Sequence, residues 1–144
     1  MNVDPSTTIG TGAADSSSSD RLRARSWTIW PFRVLVTIQV IQLFNQSVFA
    51  GQFLSGDFGA LKSHRDHAIF ALITMIVIAL AALLLKWPGG GTLWPFAASA
   101  GLSFLIYVQI ELGYMRSLAL HIPLGVAIIV AASFMTVWSW WPRP

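Results

Sequence analysis

Four stretches of this chain, about residues 34–54, 61–85, 93–111 and 117–141, are long, apolar and charged only near their ends. Each is long enough to cross a ~30 Å hydrocarbon core as a helix rising ~1.5 Å per residue. A helix is also the one single-segment structure that satisfies its own backbone hydrogen bonds in lipid. Composition agrees, with 55% hydrophobic and 10% charged residues, against roughly 45–50% and 25% in an ordinary soluble domain. The expectation is an all-α integral membrane protein, a four-helix bundle embedded in the lipid bilayer.

The first 26 residues differ sharply. They are rich in Ser, Thr, Gly, Ala and Asp, include the run Ser16–Ser19, and offer almost nothing to bury, so residues 1–26 are expected to be a disordered tail. Residues 27–144 then form the transmembrane domain. Its first span is too long, and too polar near its end, for the short apolar core of a cleaved signal peptide. Gly89-Gly90-Gly91 is read as a flexible turn: it follows no strand and lacks the Lys-Ser/Thr ending of a phosphate loop.

An even number of spans puts both ends of the domain on one side. Arg21, Arg23, Arg25, Arg33, Lys86 and Arg143 fall on that side, and Lys62, Arg65 and Arg116 on the other. By the positive-inside rule both termini are cytoplasmic, in the plasma membrane, with all seven tryptophans in the cytoplasmic interfacial belt. The net charge of +3 therefore marks topology and headgroup contact, and nucleic acid is not an expected partner. The absence of cysteine excludes disulfides, thiolate ligation, covalent c-type heme attachment and iron–sulfur clusters in this chain.

Within this frame the chain repeats itself. Gln52, Gly56, His64 and Ala68 recur 57 residues later as Gln109, Gly113, His121 and Gly125. Each copy begins near the end of one span and finishes inside the next. The repeating unit is thus a helical hairpin with a histidine early in its second helix, and two hairpins in parallel repeat make the bundle. Levelling the second and fourth spans at Lys86 and Pro142 places His64 at ~33 Å, His121 at ~32 Å and His67 at ~29 Å from those ends. The repeat and the depth both pair His64 with His121, leaving His67 as the alternative.

Ionisable side chains at membrane depth are costly and tend to mark function. A flat macrocycle between two helices needs an imidazole on each side of its iron and room beside each ligand. Ala68 and Gly125, four residues after each histidine and hence on its face of the helix, would supply that room. Gln52 and Gln109 would orient the imidazoles by hydrogen bonds, and Arg65 and Arg116, with Lys62, would meet carboxylates at the outer rim. Two other readings stay open. The histidines are structural or interfacial, or His64, Asp66 and His67 form a local zinc or copper site, which would have only two imidazole ligands.

Gln39, Gln42, Asn45, Gln46 and Gln52 give the first span a polar stripe, expected to face inward and join helices by hydrogen bonds. Glu111, beside Gln109 near the outer end, is either a proton relay or a water-exposed boundary carboxylate.

At these residues the chain resembles half of a heme A synthase, whose membrane domain is two four-helix bundles with histidines early in the second and fourth helices of each. Val108-Gln109-Ile110-Glu111-Leu112-Gly113 and Leu120-His121-Ile122-Pro123-Leu124-Gly125 look like that family's third and fourth helices, and His64-Arg65 like its His-Arg pair. The chain is also similar to small four-helix membrane proteins of actinobacteria, which carry an Ala-Gly-Gln like Ala50-Gly51-Gln52. The resemblance spans roughly residues 35 to 140 and implies heme b held by His64 and His121. It does not imply catalysis: the synthase has a glutamate where Leu61 stands, and this chain is about half its length.

Three functions are open to such a chain. The first is a cytochrome-b-like bundle with one heme near the outer face, for electron transfer with a membrane redox partner or as an accessory to a respiratory complex. The second is a cofactor-free structural or assembly subunit. The third, an enzyme acting on heme, is disfavoured because no acid, base or nucleophile is convincingly placed beside the histidines.

Overall fold

The computed structural model of the chain describes residues 11–87 and 89–141. Residues 1–10 of the expected tail, Pro88 and residues 142–144 lie outside the described residues. Four helices account for the fold: α1 (Thr11–Leu54), α2 (Ala60–Lys86), α3 (Trp94–Tyr114) and α4 (Leu118–Trp140). All four are long and apolar enough to cross a membrane, with the span of α1 running Ile29–Leu54. The chain is thus an all-α, multi-pass membrane protein.

α1 begins well before its span. Composition predicts disorder through residue 26, yet the backbone from Thr11 continues the helix. Once a span has nucleated a helix, further residues extend it without a new nucleation cost; Pro31, inside α1, forfeits one helical hydrogen bond, and no Gly or Pro interrupts the chain between Gly12 and Pro31.

The helices form a four-membered ring in which α1 packs on α2, α2 on α3, α3 on α4 and α4 on α1, without close backbone approach across either diagonal. Short connections make neighbours antiparallel. The ring closes where the start of the first span meets the end of the last. There Arg33 Nε donates to the Ser139 carbonyl at 2.7 Å, and Trp140 Nε1 donates to Thr37 Oγ1 at 3.1 Å. The Arg33 guanidinium also lies over the rings of Trp30 and Trp140, at 5.9 and 5.2 Å. Trp138, expected as an interface anchor, is packed instead edge-on to Phe32 and Trp94.

Interior positions recur at helical spacing: Phe32, Val36, Gln39 and Leu43 on α1; Ala71, Met75, Ile78 and Ala82 on α2; Leu102 and Ile106 on α3; Ile128, Ala132 and Met135 on α4. Lipid tails are as apolar as leucine, so close packing has to hold such a bundle together, and the buried alanines at 71, 82 and 132 let the helices approach. Pro123 is the sixth residue of α4, beyond the first turn, so its missing N–H leaves the Ala119 carbonyl without its usual helical donor.

The turns at the histidine end differ. In the first hairpin Gly56 takes the left-handed conformation, φ +102°, at no steric cost; in the second that place belongs to Arg116, φ +58°. Gly113, which the repeat equates with Gly56, is still inside α3.

Candidate functional site

His64 enters from the first turns of α2 and His121 from the first turn of α4, helices that sit on a diagonal of the ring. Their imidazoles nevertheless meet across the interior, with ring centres 6.1 Å apart and planes inclined at 60°. Both are partly buried. This pair is the site around which the other candidates can be placed.

Each histidine is held the same way, by the helix that precedes its own. Nδ1 of His64 lies 3.0 Å from the carbonyl oxygen of Gln46 on α1, and Nδ1 of His121 lies 2.9 Å from the carbonyl oxygen of Gln109 on α3. A carbonyl only accepts, so each Nδ1 carries the proton and donates, leaving Nε2 as a free lone pair. An imidazole with Nδ1–H fixed on a backbone carbonyl is the arrangement that orients metal-ligating histidines.

The two hairpins reach this arrangement with different lengths. His64 lies 18 residues from its carbonyl partner and His121 only 12. Counting from the left-handed residue of each turn, Gly56 is 10 residues after Gln46 and 8 before His64, and Arg116 is 7 after Gln109 and 5 before His121. Each leg of the first hairpin is thus three residues longer, so its turn projects ~4.5 Å farther past the histidines. The imidazoles are matched while the turns are not.

This offset separates the repeated glutamines. Gln109 reaches the site: its Nε2 donates to the His121 carbonyl at 2.7 Å, while its main chain holds the same residue's ring. Gln52 is exposed, and its backbone carbonyl instead accepts from Ser55 and Asp57 where α1 ends. Gln46 stands in the position that the repeat assigns to Gln52. Asn45, expected in the inward stripe with it, is likewise exposed, because it lies about 120° around α1 from the buried Gln39.

The small residues also have specific neighbours. A Cβ on Gly113 would stand 3.1 Å from Cε1 of His121, so this glycine makes room for the imidazole. A Cβ on Gly125 would stand 2.8 Å from Gln109 Nε2, so Gly125 accommodates the amide that braces His121. Ala68 is partly buried on α2. Gln46, whose carbonyl accepts from His64, and Gly113, the neighbour of the His121 imidazole, carry no signal in the sequence, since both act through backbone.

The remaining candidates lie outside the pair. Arg65 is exposed with its guanidinium 5.0 Å over the Tyr114 ring, on the outer groove between α2 and α3, and Arg116 is exposed in the α3–α4 turn. Lys62 is engaged with Asp66 at 2.6 Å. His67 packs its ring 4.8 Å from Phe49, with Nδ1 3.0 Å from the Ser63 carbonyl. Among the described residues no three of His, Cys, Asp or Glu gather as a metal-binding group, so His64, Asp66 and His67 do not assemble the local site their spacing leaves open.

Polar atoms accumulate below the pair. Both amide atoms of Gln39 and Gln46, and the side-chain oxygens of Gln42 and Gln109, are buried without a hydrogen-bond partner among the described residues. Gln39, Gln42 and Gln46 share one face of α1 at spacings of three and four, so the interior is lined by amides for ~10 Å from the histidine level.

Do these residues fit a heme? A metal–nitrogen bond of ~2 Å on each side, plus ~1 Å from each nitrogen to its ring centre, would put two imidazoles that share one iron roughly 6 Å apart. The observed 6.1 Å between ring centres matches that spacing, and neither Nε2 is engaged by a hydrogen bond among the described residues. Two imidazoles fit a two-ligand role and fall short of a tetrahedral set among the described residues. Comparison with protein-family models, with curated proteins and with solved structures finds no match.

Proposed function

We propose that this membrane protein holds one heme b between His64 and His121 and serves electron transfer, with a membrane redox partner or as an accessory of a respiratory complex. The observation that carries the proposal is the facing imidazole pair, 6.1 Å between ring centres, with each Nδ1 fixed on a backbone carbonyl. In this reading His64 and His121 would hold the heme, and Gln46 and Gln109 fix their tautomer and ring orientation through main-chain oxygens. Heme so ligated supplies one-electron redox chemistry.

The chain's own part is positioning. Bracing each ring from a neighbouring helix keeps the two Nε2 atoms in place before any ligand arrives, which reduces the ordering cost of binding. Beyond the amide-lined stretch, Met75 and Ile128 are buried in the bundle interior. The plasma membrane, with both termini cytoplasmic, is the proposed setting, and the arginine distribution supports it.

Reconstitution tests this reading. The purified chain in detergent, titrated with hemin, is expected to give a six-coordinate low-spin spectrum at one equivalent. His64→Ala and His121→Ala are each expected to lose that spectrum, and His67→Ala to keep it. A wild-type protein that takes up no hemin would return the pair to a packing role in a cofactor-free subunit.

A further inference from the structure

The exposed Gln52 and Asn45 are not used by the histidine site, yet their placement is regular. Val34, Ile38, Ile41, Asn45, Val48 and Gln52 follow one another at alternating spacings of four and three, and all six are exposed. This is heptad spacing, which keeps one side of a helix on a partner helix over many turns. The seam lies away from the bundle, since the buried side of α1 is the one carrying Val36, Gln39, Leu43 and the Gln46 amide.

Asn45 is what demands a partner. It lies nine residues from Leu54, the end of α1, hence ~14 Å in along the helix. That is within a ~30 Å hydrocarbon core centred on the span. No hydrogen bond joins its side chain to any described residue. A carboxamide facing lipid alone is costly, whereas the apolar members of the seam would be content there.

The chemistry of the seam selects its occupant. A carboxamide both donates and accepts, so two copies of the same residue satisfy each other. Copies inserted in the same orientation are related by an axis along the membrane normal, which sets each α1 residue opposite itself. Asn45 and Gln52, seven residues apart, then occupy the same heptad position in successive repeats. One asparagine at such a position is known to fix register and number of strands.

We infer that α1 is a self-association surface: two copies of this chain pair in parallel along residues 34–52, with an amide hydrogen bond between the two Asn45 side chains at its centre. The inference is independent of what the histidines hold, because the seam and the histidine site use opposite sides of α1.

The chain contains no cysteine, so single thiols can be placed at will. Val48→Cys puts one on the seam and Phe104→Cys puts one on the exposed side of α3. In dilute lipid vesicles, mild oxidation is expected to cross-link Val48→Cys to twice the chain mass and to leave Phe104→Cys monomeric. Adding Asn45→Leu to Val48→Cys should weaken dimerisation roughly five-fold, as for loss of one interhelical hydrogen bond, and Asn45→Gln should retain it. Equal cross-linking at both positions, indifference to Asn45→Leu, or an adduct of any other mass would overturn the inference.

Discussion

The rings of His64 and His121 stand 6.1 Å apart although the backbones of the helices that carry them do not approach closely. Two interior imidazoles brought together across a diagonal are held there by other helices, α1 through the Gln46 carbonyl and α3 through the Gln109 carbonyl. Every helix of the bundle therefore contributes to one site, and changes on α3 should be felt at the imidazole of α4.

Gly113 gives the most direct case. Its Cα faces His121 so closely that an added Cβ would come within 3.1 Å of Cε1. Gly113→Ala is expected to shift the ring by a few tenths of an ångström and to weaken hemin binding roughly ten-fold, in line with other changes that disturb a ligand's orientation. Helicity by circular dichroism should stay at the wild-type level.

Gly125 is expected to behave differently. A Cβ there meets Gln109 Nε2 at 2.8 Å and displaces it from the His121 carbonyl. Gly125→Ala should cost about 1 kcal/mol of stability, the net value of one hydrogen bond. In a Gln109→Ala background the obstacle is gone, and the same substitution should be neutral or stabilising because alanine is the better helix former. Thermal unfolding of the wild type, the two single variants and the double variant in detergent reads this coupling.

Gln39 is fully buried with neither amide atom partnered. Gln39→Leu keeps the volume and removes two unsatisfied polar atoms, so the heme-free protein is expected to gain about 1–2 kcal/mol. A fall in the unfolding temperature would mean that the amide has a partner in the working protein and that the polar lining extends functionally to mid-membrane.

Arg33 closes the opposite end of the bundle. It joins α1 to α4 through the Ser139 carbonyl and lies over Trp30 and Trp140. Arg33→Ala should destabilise the fold by about 1.5–3 kcal/mol, as for a charge-assisted hydrogen bond, while leaving the affinity for hemin within two-fold of wild type.

The four spans are legible in the sequence because lipid demands long uncharged helices and little else. The 57-residue offset also names the two histidines whose rings stand together. Matching residue types along the chain could not reveal that the first hairpin is longer. The repeat aligns Gly56 with Gly113, whereas the second turn uses Arg116 in the left-handed conformation. With that offset hidden, Gln52 reads as a partner of its histidine and Gln46 does not. The partner that Gln46 offers is a backbone carbonyl, which no residue type announces. The inward stripe on α1 was legible in kind but not in membership: Gln39, Gln42 and Gln46 line the interior, and Asn45 and Gln52 face outward, a distinction of about 120° around one helix. Helix in residues 11–26 was not legible, because composition reports the lack of a core and not the reach of a helix nucleated elsewhere.

The most direct test of the histidine pair's role is the visible absorption spectrum of the protein purified from heme-replete membranes, recorded oxidised and then dithionite-reduced. A low-spin heme b spectrum is expected, with a sharpened α band on reduction, at one heme per chain, lost on substitution of His64 or His121. A colourless preparation, or heme retained at full stoichiometry with unchanged low-spin bands in both variants, would contradict it.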